Sequence, residues 1–425
     1  MKKCKIKSML DTLVMFCIVF SFYVMGPIQI SMVVGGICFC IVCSSKKASK
    51  ELGRLLWTKT GQYIIMGQCF VFALSLTFPV IHGTLDLSYT KLLISQLIKI
   101  ICVFFCVACL DTRGKRLSYY ERIFVRIFVI QTVIQVLAFS SSTVASVVLH
   151  FSRATELYED YGGRRGLALS GGTGWPLAIV YAVAFLLYTR NYIIPQKISL
   201  KVVIIGLMLL VGVFFSGRSA YLGILTSILF FFLSSKKVQK KLKTIVGFLW
   251  WLLFGGILLV GILYLVAGHM LDTFLNLVLP WAFEFFYKAA DTGQLSTGST
   301  DVLFDMWTKI EYITFDNFLF GDGLFTDPTT GKYYHRVDIG YLRNLFFWGL
   351  VGTICFYVAY IFMFVPLLFR AKGETRLFIY IFILTMFVLE LKAMTVGSAH
   401  LPTVSVVMWL LLAERVNHGS FSKTI

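Results

Sequence analysis

The chain has 425 residues, a mean hydropathy of +0.82, 14% charged residues and a formal net charge of +18. That composition excludes a soluble enzyme and belongs to polytopic membrane proteins. The lysines and arginines cluster beside apolar runs, so the basic balance reads as membrane topology and no nucleic-acid partner is expected.

Crossing ~30 Å of hydrocarbon takes about 20 apolar residues. In chain order the runs predicted to cross are Met9–Met25, Ile28–Cys43, Gly61–Ile81, Lys91–Leu110, Ile123–Phe139, Gly174–Tyr188, Val202–Phe215, Ala220–Leu233, Ile245–Ala267, Phe346–Phe369, Leu377–Leu391 and Thr395–Ala413. The fold class expected is all-α, a single polytopic domain over residues 1–425 with about twelve transmembrane helices. Lys2, Lys3, Lys5 and Lys7 precede the first run and no small-residue cleavage site follows it, so a retained first span is expected. With the N-terminus in the cytoplasm, most basic residues fall in inside segments and both termini are cytoplasmic. Arg126 lies near the inner end of its span. Lys91, Lys99, Arg153, Arg164, Arg165, Arg218, Lys288, Lys309, Lys332, Arg336, Arg343 and Lys392 fall on the outer side or in the outer part of a span, against that bias, and each invites a local reason.

The ten cysteines include the clusters Cys38/Cys40/Cys43 and Cys102/Cys106/Cys109. No histidine accompanies them, so apolar filler is the expected role. None lies in the long outer loop. Lys99 and Glu390 are expected to pair inside the membrane and lock two helices.

Three polar segments interrupt the apolar pattern. The loop Ser140–Thr173 holds Glu156, Glu159 and Asp160, then Tyr161-Gly162-Gly163-Arg164-Arg165-Gly166, where glycines allow close backbone approach and arginines supply forked donors. The hairpin Val202–Leu233 turns at Ser216-Gly217-Arg218-Ser219. Its arms reach only ~21 Å at ~1.5 Å per residue, which recesses Arg218 into the outer half of the membrane. A loop carboxylate or a phosphate would satisfy it there. The longest loop runs over 268–345. Short amphipathic helices are predicted around Met270–Ala290 and Thr300–Thr314, with Asp301 as a cap for the second. Turns follow at Gly321-Asp322-Gly323 and Asp327-Pro328-Thr329-Thr330-Gly331. His335 and Asp338 share a face if that segment is helical, and either suits proton abstraction from a hydroxyl. Asp338 also suits a cap for the following span.

Phe215-Ser216-Gly217-Arg218-Ser219-Ala220-Tyr221-Leu222, Leu319-Phe320-Gly321-Asp322-Gly323, Asp338-Ile339-Gly340-Tyr341-Leu342-Arg343 running into Trp348-Gly349-Leu350-Val351-Gly352, and Gly163-Arg164-Arg165-Gly166-Leu167 resemble, in order, motifs of the O-antigen ligase and Wzy-type repeat-unit polymerase superfamily. Asp338 stands where the ligases usually carry histidine, which favours a polymerase. The resemblance implies a GT-C-like fold with one large outer loop, in a bacterial cytoplasmic membrane. It implies a metal-independent glycosyltransferase without cofactor that joins repeat units carried on undecaprenyl pyrophosphate. Asp338 or His335 would act on the acceptor hydroxyl, and Arg164, Arg165, Arg218 and Arg343 would hold pyrophosphate. The partners implied are the lipid-linked glycan donor and acceptor and the lipid bilayer, with room for a chain-length regulator protein. A polysaccharide ligase and a twelve-span transporter or flippase of lipid-linked sugars are the alternatives.

Overall fold

The computed structural model describes residues 2–112, 115–153, 167–195, 199–217, 219–234, 284–293, 297–397 and 400–421, with isolated positions between 246 and 280. In chain order its helices are α1 (Lys2–Phe20), α2 (Ile30–Ser44), α3 (Lys46–Trp57), α4 (Lys59–Ile81), α5 (Ser88–Cys109), α6 (Leu117–Ser140), α7 (Ser142–Ser152), α8 (Trp175–Tyr188), α9 (Leu200–Ser216), α10 (Ala220–Leu233), α11 (Glu284–Thr292), α12 (Gly298–Thr308), α13 (Phe315–Phe320), α14 (Gly340–Phe362), α15 (Val365–Arg370), α16 (Gly373–Glu390) and α17 (His400–Phe421). The one sheet among the described residues is a hairpin of β1 (Tyr23–Met25) and β2 (Ile28–Gln29).

This is a helical membrane-type fold. Among the described residues α4, α5, α6, α14 and the segment Trp175–Ile193 are long and apolar enough to cross a bilayer. A sixth span arises if α2 and α3, bent by 109°, count as one. The remaining helices are shorter, as α9 and α10 are at 17 and 14 residues, or are less apolar along their length, as α1 is with its lysines and α17 with its polar C-terminal end. Each apolar run predicted from the sequence corresponds to a helix, except Ile245–Ala267, which lies almost wholly outside the described residues.

Several boundaries differ, two of them with a clear local cause. The first run stops at Phe20, because Ser21 takes a left-handed φ of 44° and the chain turns through Gly26 into the hairpin. The helix expected from Phe346 begins six residues earlier, at Gly340, since Leu342, Arg343 and Asn344 are buried and already packed.

The described chain divides into two compact units. The first comprises Met1–Ile123 and Asp305–Ile425. At its centre α5 buries Tyr89, Leu93, Gln96, Lys99 and Val103. Cys38, Cys102 and Cys106 are buried, with Cys106 Sγ donating to Cys38 Sγ at 3.5 Å, while Cys40 and Cys43 are exposed. Near the C-terminal end of α17, Glu414 accepts from Thr60 at 2.5 Å and from Arg370 at 2.5 Å, and Glu121 accepts from Trp409 at 3.0 Å. Each buried carboxylate is therefore satisfied by a named donor, as burial of charge requires.

The second unit is Phe124–Phe304. Its core helix is α8, buried at every residue from Leu177 to Tyr188. Tyr181 donates to Gln135 at 2.9 Å and shares a hydrogen bond with Thr132 at 2.9 Å, fixing α8 to α6 through polar groups that hydrocarbon could not satisfy. Of the predicted loop helices, the second is present as α12, and the end of the first as α11, most of its span before Glu284 lying outside the described residues. Asp301 does not cap α12. Thr297 does, with Thr300 N donating to its Oγ1 at 3.2 Å and Thr300 Oγ1 accepting from Thr297 N at 2.6 Å. Threonine at the first non-helical position reaches the orphan amide, whereas Asp301, one turn inside, faces Lys288 at 3.9 Å.

Candidate functional site

The site is built on the second half of the long loop, all of it within the first unit. The helix α13 begins at Thr314, whose Oγ1 accepts from Asn317 N at 3.3 Å, and stops at Gly321, where φ is 77°. The turn Gly321-Asp322-Gly323 then docks on α14. Asp322 N donates to Phe346 O at 2.6 Å and Gly323 N to Phe347 O at 3.3 Å. Those carbonyls belong to a helix interrupted at Gly349, where φ is 65° and ψ −177°. The break takes them out of the regular ladder and leaves them for the turn. A β-carbon on Gly321 would lie 2.5 Å from Gly349 N, and one on Gly349 would collide with the Leu319 carbonyl. Only two glycines, one on each side, permit this approach.

The outer connection between α4 and α5 grips the same segment. His82 bonds Phe320 O at 3.0 Å through a ring nitrogen, and Thr84 donates to Gly323 O at 2.7 Å. Asp86 accepts from Phe325 N at 2.7 Å and Thr326 N at 2.8 Å, and also from Ser88. Desolvation raises the Asp86 pKa, but these donors outweigh it and hold the carboxyl below its ordinary value.

From there the chain forms a small hairpin, bridged between Thr326 and Tyr333 and closed by Asp327, which accepts from Thr329 N at 2.8 Å. The hairpin presents two rings to Arg343. Its guanidinium lies 4.0 Å from the Phe325 ring centre and 3.6 Å from that of Tyr333. Arg343 is only 7% exposed, and its Nη2 has no hydrogen-bond partner among the described residues. With rings on its guanidinium, Arg343 can reach an anion only by its edge.

His335 and Asp338 do not share a helical face. His335 and Arg336 take left-handed φ values of 52° and 54°, so the segment is a single tight turn rather than a helix. The contacts that hold it are specific. The His335 ring packs against Tyr334 at 4.1 Å and Phe346 at 4.8 Å, and its carbonyl accepts from Lys309 Nζ at 2.9 Å. Asp338 does not cap α14 with its side chain, because the N-cap position falls to Ile339. The Asp338 backbone is fixed at both ends, by Met306 Sδ at 3.4 Å and by Met394 N at 3.2 Å, while the residue stays exposed. Neighbouring protein desolvates its carboxyl and raises the pKa above the ordinary value, against the pull of Arg343, Lys392 and Lys309. One carboxylate with three cations in its field attracts anions and keeps a proton acceptor beside them.

Lys309 and Lys392 had a sequence signal, since both run against the topological charge bias; Phe325 and Tyr333 had none. Of the predicted site residues, His335, Asp338 and Arg343 come together here. Arg164, Arg165 and Arg218 lie outside the described residues.

The Lys99–Glu390 pair is not formed. Glu390 is fully buried and accepts from Thr395 N at 2.7 Å, Val396 N at 2.9 Å, Tyr357 at 3.0 Å and Asn344 at 3.3 Å. Those donors already satisfy it. Lys99 is 2% exposed and makes no ion pair among the described residues.

No family model, no curated protein and no solved structure matches the chain.

Proposed function

We propose that the protein is a polymerase of lipid-linked oligosaccharide repeat units, acting at the outer face of a bacterial cytoplasmic membrane that it crosses twelve times with both ends inside. The observation that carries the reading is the interlock of Gly321 with Gly349. It joins two of the motif segments on which the family resemblance rests, Leu319–Gly323 and the one that runs from Asp338 into Trp348–Gly352.

In the proposed reaction, the acceptor hydroxyl oxygen bonds to the anomeric carbon of the donor glycan. The bond from that carbon to the undecaprenyl pyrophosphate breaks, and the pyrophosphate leaves with the electron pair. The hydroxyl proton passes to Asp338, the exposed carboxylate of the site. Lys309 and Lys392 lie in its field and favour an anionic leaving group nearby. Arg343, held by its rings, contributes a fixed charge rather than a bidentate clamp. Because the leaving group is already activated, positioning and charge stabilisation suffice for the chemistry.

The test is a deletion of the gene, followed by comparison of surface glycan and lipid-linked intermediates. Accumulation of single lipid-linked repeat units is expected. Full-length polymer retained on the carrier would make the protein a ligase. An unchanged glycan would overturn both and return the protein to the transporter class.

A further inference from the structure

The connection between α2 and α4 has a form that spans and simple loops do not need. α2 is apolar and turns Val33, Ile37, Phe39 and Ile41 outward, as a lipid-facing helix does. At Ser45 the chain bends by 109° into α3, and Ser45 caps the new helix by accepting from Ala48 N. The sequence of α3, KKASKELGRLLW, carries four basic residues against one acid. A helix bent nearly square to an embedded neighbour runs along the membrane surface rather than through it.

Its two faces differ. Ala48 and Leu55 are buried, and Glu51 on that side reaches Arg415 at 3.4 Å. Lys46, Lys50, Arg54 and Trp57 follow at helical spacing on the other side, and all are exposed. Trp57 is 81% exposed, beside the half-open Leu56. Arg54 pairs with Glu51 at 2.9 Å, and Lys47 approaches Asp111 at 4.0 Å. Lys46, Lys50 and Lys59 are exposed and make no ion pair among the described residues. A row of lysines ending in an exposed tryptophan, at the level where a hydrophobic helix stops, matches the headgroup layer, with cations for the phosphates and an amphipathic ring for the acyl boundary.

We propose that α3 lies flat in the headgroup layer with Trp57 as its anchor in the acyl boundary, and that Lys46 and Lys50 on α3, together with Lys59 at the start of α4, bind acidic phospholipids. The inference stands on unit-one geometry alone and does not depend on the proposed polymerase activity. Charge complementarity selects an acidic headgroup over a zwitterionic one, and the selection weakens as salt rises.

The experiment places the full-length protein in nanodiscs of mixed phosphatidylcholine and phosphatidylglycerol, with only one of the two lipids brominated at a time. Trp57 quenching is read as the difference between wild type and Trp57→Phe. Brominated phosphatidylglycerol is expected to quench Trp57 at least twofold more than brominated phosphatidylcholine at equal mole fraction. The triple variant Lys46→Gln/Lys50→Gln/Lys59→Gln, whose changed side chains are all exposed, is expected to fold normally and to lose the preference. Equal quenching by both lipids in wild type would overturn the headgroup selection. Absence of quenching by either would overturn the placement of α3 in the bilayer surface. A preference surviving in the triple variant would overturn the role of the lysines.

Discussion

Asp338 separates two roles that a carboxylate before a helix commonly plays. It does not cap α14, and its backbone is held by Met306 and Met394 while its carboxyl stays open. In the proposed reaction Asp338→Asn removes the proton acceptor but keeps the shape. A rate loss on the order of 10²–10⁴ is expected, with protein level unchanged. The sign of the pH effect follows from desolvation, which raises this pKa. The protonated form persists to higher pH than for an ordinary carboxylate, so activity should rise through a pKa above ~3.9. A rate profile against pH checks this, and a limb at the ordinary value would remove Asp338 as the titrating group. Arg343 acts differently. Its planar cation fits against Phe325 and Tyr333, and lysine is not planar. Arg343→Lys is expected to cost about 0.5–2 kcal/mol of stability, read as a lower thermal midpoint in detergent. His335 shows why residue spacing misleads here. A separation of three implies a shared face only in a helix, and tilted ring contacts together with Lys309 hold His335 in a left-handed conformation that no local pattern announces.

At the scale of elements, the glycine interlock is the joint on which the site depends. Gly321→Ala puts a methyl 2.5 Å from a backbone nitrogen, with φ at 77°. The turn must then leave α14, and limited proteolysis should cut between residues 315 and 345 in the variant but not in wild type. The grip of Asp86 on the same segment is pH-dependent. Its carboxyl pKa is depressed by hydrogen bonds, so its contribution is complete above the unfolded value and is lost as pH falls through the lower folded value. Asp86→Asn should flatten the acid limb of a stability-against-pH curve. The helices themselves were legible in the sequence because apolar runs of this length have few alternatives in a membrane. The pairings were not. Gly321 and Gly349 each read as a local turn or packing signal, but their meeting is a long-range contact that one sequence does not display. Glu390 likewise read as a partner for Lys99, yet amides at residues 395 and 396 reach it first. Replacing Lys99 by Met should therefore be neutral or stabilising, since no paired charge is abandoned. Glu390→Ala should cost at least ~1.5–3 kcal/mol, because it strands donors that bond a buried carboxylate. Thermal midpoints of the two variants, measured side by side, distinguish these outcomes, and equal losses would restore the pair.

For the whole molecule, the first unit joins the two ends of the chain, Met1–Ile123 with Asp305–Ile425, and the second is the intervening Phe124–Phe304. The long outer loop that reads as one segment in the sequence is divided between them within α12, with α11 and α12 up to Phe304 in the second unit and the candidate site in the first. Composition identified a helical membrane protein, because 14% charged residues and a mean hydropathy of +0.82 leave little else. It gave no sign of this division, which depends on contacts between distant helices. The proposed function is the joining of lipid-linked repeat units. Its most direct test is reconstitution of the purified protein in proteoliposomes with the lipid-linked glycan fraction extracted from cells that lack the gene. The proposed reaction yields a ladder of products one repeat unit apart, with one undecaprenyl pyrophosphate released per added unit, and no ladder with Asp338→Asn. Lipid-linked units that stay monomeric with folded wild-type protein would contradict it.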